Sequence, residues 1–298
     1  MRSQTKETIK MKKITAIVPF LLIALLVLLP LQGEAQSISR GKKKPATTTT
    51  TKKKNQTSTK RTSSKTKTNS SANVINVSST EQFLDALGSN KTIVIQKSIN
   101  LSSVLDHELE LVGYKNLTIK GVNPSIKFEV TRGDHDVLDF ASCENISISN
   151  LIFGHESAGC YAAVLVFNEC KGVTISSCDI YGCGYKGIVI EKSDNFLCTN
   201  SNIHDCWTEL LEISQSKNIT FKNSIIKDSG CGTLMYVSSS DQVKFEKCTF
   251  TQTKGAITDW WTCFKLNCYI SLVNCTIRSK NTYLGDTQYI KQSGCKWY

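Results

Sequence analysis

The chain has 298 residues, a formal net charge of +11 and 13 cysteines. That charge is unevenly placed: residues 36–73 carry nine Lys, two Arg and no acid, while 74–298 carry 20 basic and 23 acidic residues. The larger part is thus weakly acidic, which argues against a basic nucleic-acid-binding body, and no cofactor motif or metal-ligand spacing occurs in it.

At the N-terminus, Arg2, Lys6, Lys10, Lys12 and Lys13 precede the uncharged run Ile14–Leu31, and Gly33-Glu34-Ala35 follows. This order of basic, apolar and small residues reads as a secretory signal over 1–35, cleaved after Ala35, with an uncleaved membrane anchor as the alternative. Residues 36–73 are Lys, Thr and Ser with almost nothing apolar, so they cannot offset chain entropy by burial. They read as a disordered linker whose charge suits an anionic envelope surface, or as a solvated stalk. The remaining 74–298 forms the folded domain of an exported protein: periplasmic, cell-surface or secreted.

That domain begins with Ser79-Thr80-Glu81-Gln82 ahead of Phe83, Leu84 and Leu87, with Gly88 after them. The pattern predicts a two-turn helix with a capping box and a glycine stop. Residues 91–104 then enter a sheet. From 116 onward seven segments align: NLTIKG at 116, NISISNLIF at 145, GVTISSCDI at 172, NFLCTNSNI at 195, NITFKNSII at 218, QVKFEKCTF at 242 and YISLVNCTI at 269. Each holds a short alternating strand, a two-residue turn and a second strand. A further strand precedes six of them, ending at Phe140, Phe167, Ile190, Ile213, Val237 and Phe264. Three short strands per repeat, without helical periodicity, predict the coils of a parallel β-solenoid stacked about 4.8 Å apart. Residues 281–298 lose the pattern and are expected to cover the far end, with Trp297 and Tyr298 over its apolar rungs.

The columns of this repeat assign the cysteines. Ile119, Ile148, Ile175, Cys198, Phe221, Phe245 and Leu272 share an inward column. Asn150, Ser177, Asn200, Asn223, Lys247 and Asn274 share a turn that favours left-handed backbone. Cys178, Cys248 and Cys275 alternate with Ser201 and Ser224, and Cys143 and Cys170 with Ser193, Ser216 and Ser240. Cysteine is therefore read as a small buried corner residue. Disulfides between Cys143 and Cys170, Cys183 and Cys206, or Cys248 and Cys275 are the secondary reading, because the rung spacing fits the Cα range of about 4.4–6.8 Å.

With the helical cap, the Asn-x-[Ser/Thr]-[Ile/Phe] repeat and the Phe/Ile stack, residues 74–298 resemble the right-handed parallel β-helix superfamily with pectate-lyase-like folds. The segment GHESAGCYAAVLVFNECKGVTISSCDIYGCGYKGIVIE (154–191) is similar to a subgroup of secreted bacterial β-helix proteins of unknown function. The resemblance implies an all-β, single-stranded right-handed parallel β-helix with a short N-terminal capping helix. It also implies a substrate, where there is one, lying along the first strand of each coil and the loop before it. The Asn-Thr-Asp, Asp-Asp, Gly-His-Gly and Arg-Ile-Lys motifs of polygalacturonase-like members are missing. Pectate lyases pair clustered Asp for calcium with an Arg base, whereas this domain has only Arg132 and Arg278, far apart in coil order. Catalysis is thus left open.

On that face one column reads Asp139, Val166, Val189, Glu212, Tyr236, Cys263 and the next Ala141, Asn168, Glu191, Ser214, Ser238, Lys265. Glu191 and Glu212 would lie about 8 Å apart, a spacing that suits an acid and a base of an inverting glycosidase. His135, beside Asp134 and Asp136, is a third catalytic candidate. Lys186 and Glu209 would pair across neighbouring rungs. Asp139, Lys186, Trp207, Tyr236, Trp260 and Trp261 are the candidate ligand-binding residues, since sugar rings stack on exposed aromatic planes. Three functions remain: a module binding an extended polysaccharide, a polysaccharide lyase or glycoside hydrolase, and a structural or adhesive solenoid.

Overall fold

The computed structural model describes residues 73–131, 133–156, 161–182, 184–253, 262–280 and 283–298. The segment read as signal or anchor and all of the linker except Asn73 lie outside these residues. The strand Asn73–Val77 pairs in parallel with Lys91–Ile95, so the first rung is built before the helix. NVINV has only one fully buried residue, Val77, so its side chains carry no alternating signal of a strand.

The helix spans Thr80–Ala86. The Ser79 hydroxyl accepts from the Gln82 amide, and the Gln82 side chain reaches back to the amide of Ser78 at 2.7 Å. At the other end the Lys91 ammonium donates to the carbonyls of Ala86 and Leu87 at 3.0 Å each, so a cation satisfies the orphan acceptors there. Phe83 is fully buried and meets Phe128 edge-on at 5.0 Å, which closes the first coil.

With Asn73–Val77 and Lys91–Ile95 included, the strands form three parallel sheets of ten, seven and nine strands among the described residues. One coil shows the plan: Leu165–Asn168 in the seven-stranded sheet, Lys171–Ser176 in the ten-stranded sheet, Asp179–Tyr181 in the nine-stranded sheet. The registers stack Ile119, Ile148, Ile175, Cys198, Phe221, Phe245 and Leu272 directly on one another. Asn150, Ser177, Asn200, Asn223, Lys247 and Asn274 all have φ between 50° and 54°, the left-handed turn expected of that column. Left-handed backbone recurs at the second residue of four strands of the ten-stranded sheet, at Asn116, Asn145, Asn195 and Asn218. There Asn145 donates to Asn116 at 3.0 Å and Asn116 to Asn90 at 2.8 Å.

Two expectations need correction. Residues 290–297 do not leave the repeat: Ile290–Ser293 pairs with Ile270–Val273, and Lys296–Trp297 with Thr276–Ser279. Backbone pairing extends the solenoid where the side-chain pattern has faded, because Lys291, Gln292 and Ser293 face solvent. Trp297 does lie on a core ring, Phe264, at 6.1 Å, whereas Tyr298 is exposed beneath Arg278. The last rung of the seven-stranded sheet is also shifted by two: Tyr236 pairs with Lys265 and Val237 with Leu266, so Lys265, not Cys263, continues the Asp139 column.

The corners explain why serine and cysteine interchange. The thiols of Cys143 and Cys170 each donate to the carbonyl two residues back, and the hydroxyls of Ser193, Ser216 and Ser240 make the same bond. Cys178, Ser201, Ser224, Cys248, Cys275 and Cys295 repeat it at the next corner. The described cysteines are free thiols. Cys178→Ser is accordingly expected to change stability by less than about 1 kcal/mol, because the donor is kept and the lost apolar sulfur is small. A urea titration showing a loss above about 2 kcal/mol would mean that sulfur packing, not the corner bond, governs the position.

Candidate functional site

The seven-stranded sheet and the loop before each of its strands carry most of the candidate residues. The outward column runs Glu110, Asp139, Val166, Val189, Glu212, Tyr236, Lys265. Glu191 lies opposite Ser214, hence one coil and two positions from Glu212 as the repeat predicts. Each glutamate faces its own ammonium: Lys192 Nζ is 3.0 Å from Glu191, and Lys186 pairs with Glu212. The expected partner of Lys186, Glu209, instead meets Lys265 at 3.8 Å. Side chains cross this face diagonally because the longer lysine stems reach the coil beyond.

The first coils bring together a group that no spacing in the sequence announced. Carboxylate oxygens of Glu108, Asp136 and Asp139 lie within 4.8 Å of one another. Glu108 comes from the loop before Glu110–Val112, and Asp136 from the loop before Leu138–Ala141. Burial, a hydrogen bond with Glu108 and the Glu108 charge push the Asp136 carboxyl up to about 7. Burial and the charges of Glu108 and Glu110 push Asp139 up to about 6. Asp136 Oδ1 accepts from the Ala163 amide at 2.5 Å, which fixes its side chain. Asp139 Oδ1 and, one coil on, Asn168 Oδ1 are buried acceptors without a donor.

Close carboxylates resolve their repulsion by holding a proton or a cation. An all-oxygen donor set with an open buried acceptor fits a hard divalent ion, which would offset two of the three charges. Without one, the raised Asp136 keeps a proton near neutral pH.

His135 lines a small hollow together with Glu108 and Asp136. Its ring is largely covered and lies 3.8 Å from Asp134. His155 is buried and hydrogen-bonds through Nε2 to the His135 carbonyl at 2.9 Å, which assigns it a structural turn bond. Burial holds its pKa below the usual histidine value, so it is neutral and Nδ1 is a bare acceptor.

The aromatics sit on the loops of consecutive coils. Tyr161, Tyr185 and Trp207 are 77%, 44% and 55% exposed. The backbone amides of Tyr185 and Trp207 donate hydrogen bonds to the carbonyls of Ala162 and Gly184 on the coils before them. Trp207 lies across Gly230, where an added Cβ would come within 2.8 Å of its ring. The Lys186 ammonium stands 5.4 Å from the Tyr185 ring centre. Tyr236 is half-buried between Glu212 and Lys265. Trp260 and Trp261, like Arg132, lie outside the described residues.

A second polar group lies on the nine-stranded sheet, away from this face. Tyr181 crosses Gly154 to donate to the buried Glu129 at 2.6 Å, and His204 stacks on Tyr181. His204 bridges Asp179 at 3.1 Å and Asp205 at 2.8 Å. The hydrogen bond with Asp179, followed by that with Asp205, raises its pKa. Each polar group there has a protein partner, which is the signature of a structural network.

A family model described as a right handed beta helix region matches residues 114–277. The curated proteins give no match. Among solved structures, an alginate lyase from Paenibacillus sp. aligns over 76% of this chain and 95% of its own, at 12% identity and a TM-score of 0.54. A Bacillus subtilis pectate lyase mutant aligns over 76% and 82%, at 13% identity and 0.54. The ORF18 protein of Geobacillus virus E2 aligns over 74% of this chain and 48% of its own, at 13% identity and 0.57. Likeness at these identities is likeness of fold.

Proposed function

The chain belongs to the right-handed β-helix family, and from that premise we propose that it is an exported module binding an extended polysaccharide along the seven-stranded sheet. The carrying observation is the series of exposed rings Tyr161, Tyr185 and Trp207 on loops of successive coils beside one strand face. Rings displayed at the rung spacing of about 4.8 Å, or its multiples, can track a polymer along the solenoid axis. Asp139, Lys186 and Tyr236 supply polar contacts beneath them. Trp260 and Trp261, which lie outside the described residues, stay with this proposal on their residue type alone. The basic segment 36–73 serves as a tether that contacts an anionic envelope surface, and 1–35 directs export.

One observation favours a second reading, a lyase or hydrolase. A carboxyl held near pKa 7, as Asp136 is, can deliver a proton at neutral pH. Glu191, Glu212 and His135 stand as further candidates, although both glutamates already face a lysine. That polysaccharide lyases share the fold supports the carbohydrate reading without naming a substrate.

The full chain should be incubated with a panel of neutral and acidic polysaccharides while polymer size and co-migration are followed. Binding without shortening is expected, and Trp207→Ala should weaken it about tenfold, the equivalent of one lost ring contact. Shortening of any polymer would move the assignment to the enzyme reading. Binding that is indifferent to Trp207→Ala would remove the aromatic series as its basis.

A further inference from the structure

Three cysteines occupy successive rungs of one corner at the C-terminal end. The Thr276 amide donates to the Cys248 carbonyl, and the Lys296 amide to the Cys275 carbonyl, at 2.9 Å each. Cys248, Cys275 and Cys295 are therefore stacked in register, and each thiol points to the carbonyl two residues back at the same corner. The outer two rungs differ in accessibility: Cys275 is buried, while Cys295 is half-buried on the final coil.

We infer that Cys275 and Cys295 form a modification site for small-molecule disulfides, which convert the pair into a bridge that staples the last coil to the body. Register alone does not choose this pair. Cys143 and Cys170, and Cys248 and Cys275, are equally well stacked, and all would have Cα atoms about 4.8 Å apart. A disulfide also needs its Cβ atoms drawn to about 3.8 Å, so one coil must move by roughly 1 Å. The coils that carry Cys143, Cys170, Cys248 and Cys275 are hydrogen-bonded on both sides. Ile290–Ser293 and Lys296–Trp297 end their sheets and have a neighbour on one side only. Among the described stacked cysteines, Cys295 alone sits on a coil that can make that shift.

The chemistry balances with an external disulfide. The Cys295 thiolate attacks one sulfur of the small disulfide and releases the other half as a thiolate. Cys275 then attacks the mixed disulfide at Cys295 and releases the second half. The sulfur–sulfur bond ends between the two cysteines, and the two thiol protons end on the two released thiols. The adjacent Cys248 thiol draws the Cys275 thiol down to about 7, which equips it for the second step.

The test uses the full chain, reduced and freed of reductant, then exposed under native conditions to oxidised glutathione. Free thiols are blocked and the chain is mapped by mass spectrometry without reduction. The expected product is a Cys275–Cys295 linked peptide, two hydrogens lighter than the reduced pair, with melting raised by about 5 °C. Cys295→Ser should keep the melting temperature of the reduced protein, because a hydroxyl makes the same corner bond, and should abolish the bridge and the shift. A bridge between Cys248 and Cys275 or between Cys143 and Cys170 ahead of it, a lasting glutathione adduct at Cys295, or no bridge at all would overturn the inference.

Discussion

Phe221→Ala is expected to cost about 3–5 kcal/mol, the range for deleting a buried aromatic ring whose cavity cannot collapse. Phe221 has no exposed surface, and its ring lies 5.1 Å from Phe245 and 5.9 Å from Phe196. Collapse is prevented by the backbone: the strand Lys217–Lys222 is paired on both sides, so no neighbour can move inward. The inward positions of each strand also share volume between them. Asp194–Thr199 points Phe196 and the small Cys198 inward, while Lys217–Lys222 points Ile219 and the large Phe221. A ring removed from one coil therefore leaves a void that the next coil is not shaped to fill. Urea unfolding would measure the loss. A cost below about 1 kcal/mol would show that the coils slide on one another, and the jigsaw account of this core would fail.

The repeat that positions Phe221 was legible because each coil repeats one local pattern, and stacking needs nothing else. The left-handed turns at Asn150, Asn200 and Asn223 were readable for the same reason: the residue type reports its own backbone. Where the pattern fades, the fold is set by backbone pairing that no side chain announces. The strand Asn73–Val77 and the final coil at 290–297 are held that way. The two-residue shift that brings Lys265 beside Tyr236 comes from the corner between Leu266 and Ile270, which is two residues shorter than its counterpart between Val237 and Val243.

Site residues were legible in proportion to their regularity. Glu191 and Glu212 fall where the period puts them, but Glu191 pairs with its chain neighbour Lys192 and Glu212 with Lys186 from the coil before, in a diagonal contact. Glu108 was not foreseen, because it lies ahead of the first recognised repeat and reaches Asp136 only through the stacking of two loops. His204 had no evident partner in the sequence, yet it lies beside Asp205 and one coil beyond Asp179, and both hold its ring. Asp136 and Asp139 were visible as outward acids. That they are buried enough to share charge with Glu108 is a property of three coils together.

That sharing leads to the second large effect, a stability that falls as pH rises. Asp136 has a folded pKa of about 7 against an ordinary value of 3.8. Between those values the folded chain holds a proton that the unfolded chain has released. Stability is therefore greatest below the unfolded value and is lost progressively as pH climbs through the folded one. A shift of this size corresponds to a ceiling of about 4 kcal/mol, and solvent access together with the coupling to Glu108 brings the expectation to about 2 kcal/mol. Asp136→Asn removes the titrating group while retaining an oxygen to accept from the Ala163 amide. The variant is expected to be about 2 kcal/mol more stable than the parent at pH 8 and nearly equal to it at pH 4.5, as measured by urea unfolding at both values. A variant that is less stable at pH 8 would mean that Asp136 is ionised at no cost, held by a cation or a donor, and the carboxyl could not then serve as a proton source. The same comparison thus separates a proton-sharing group, on which the enzyme reading depends, from a set of fixed charges that only shapes the field of a binding face.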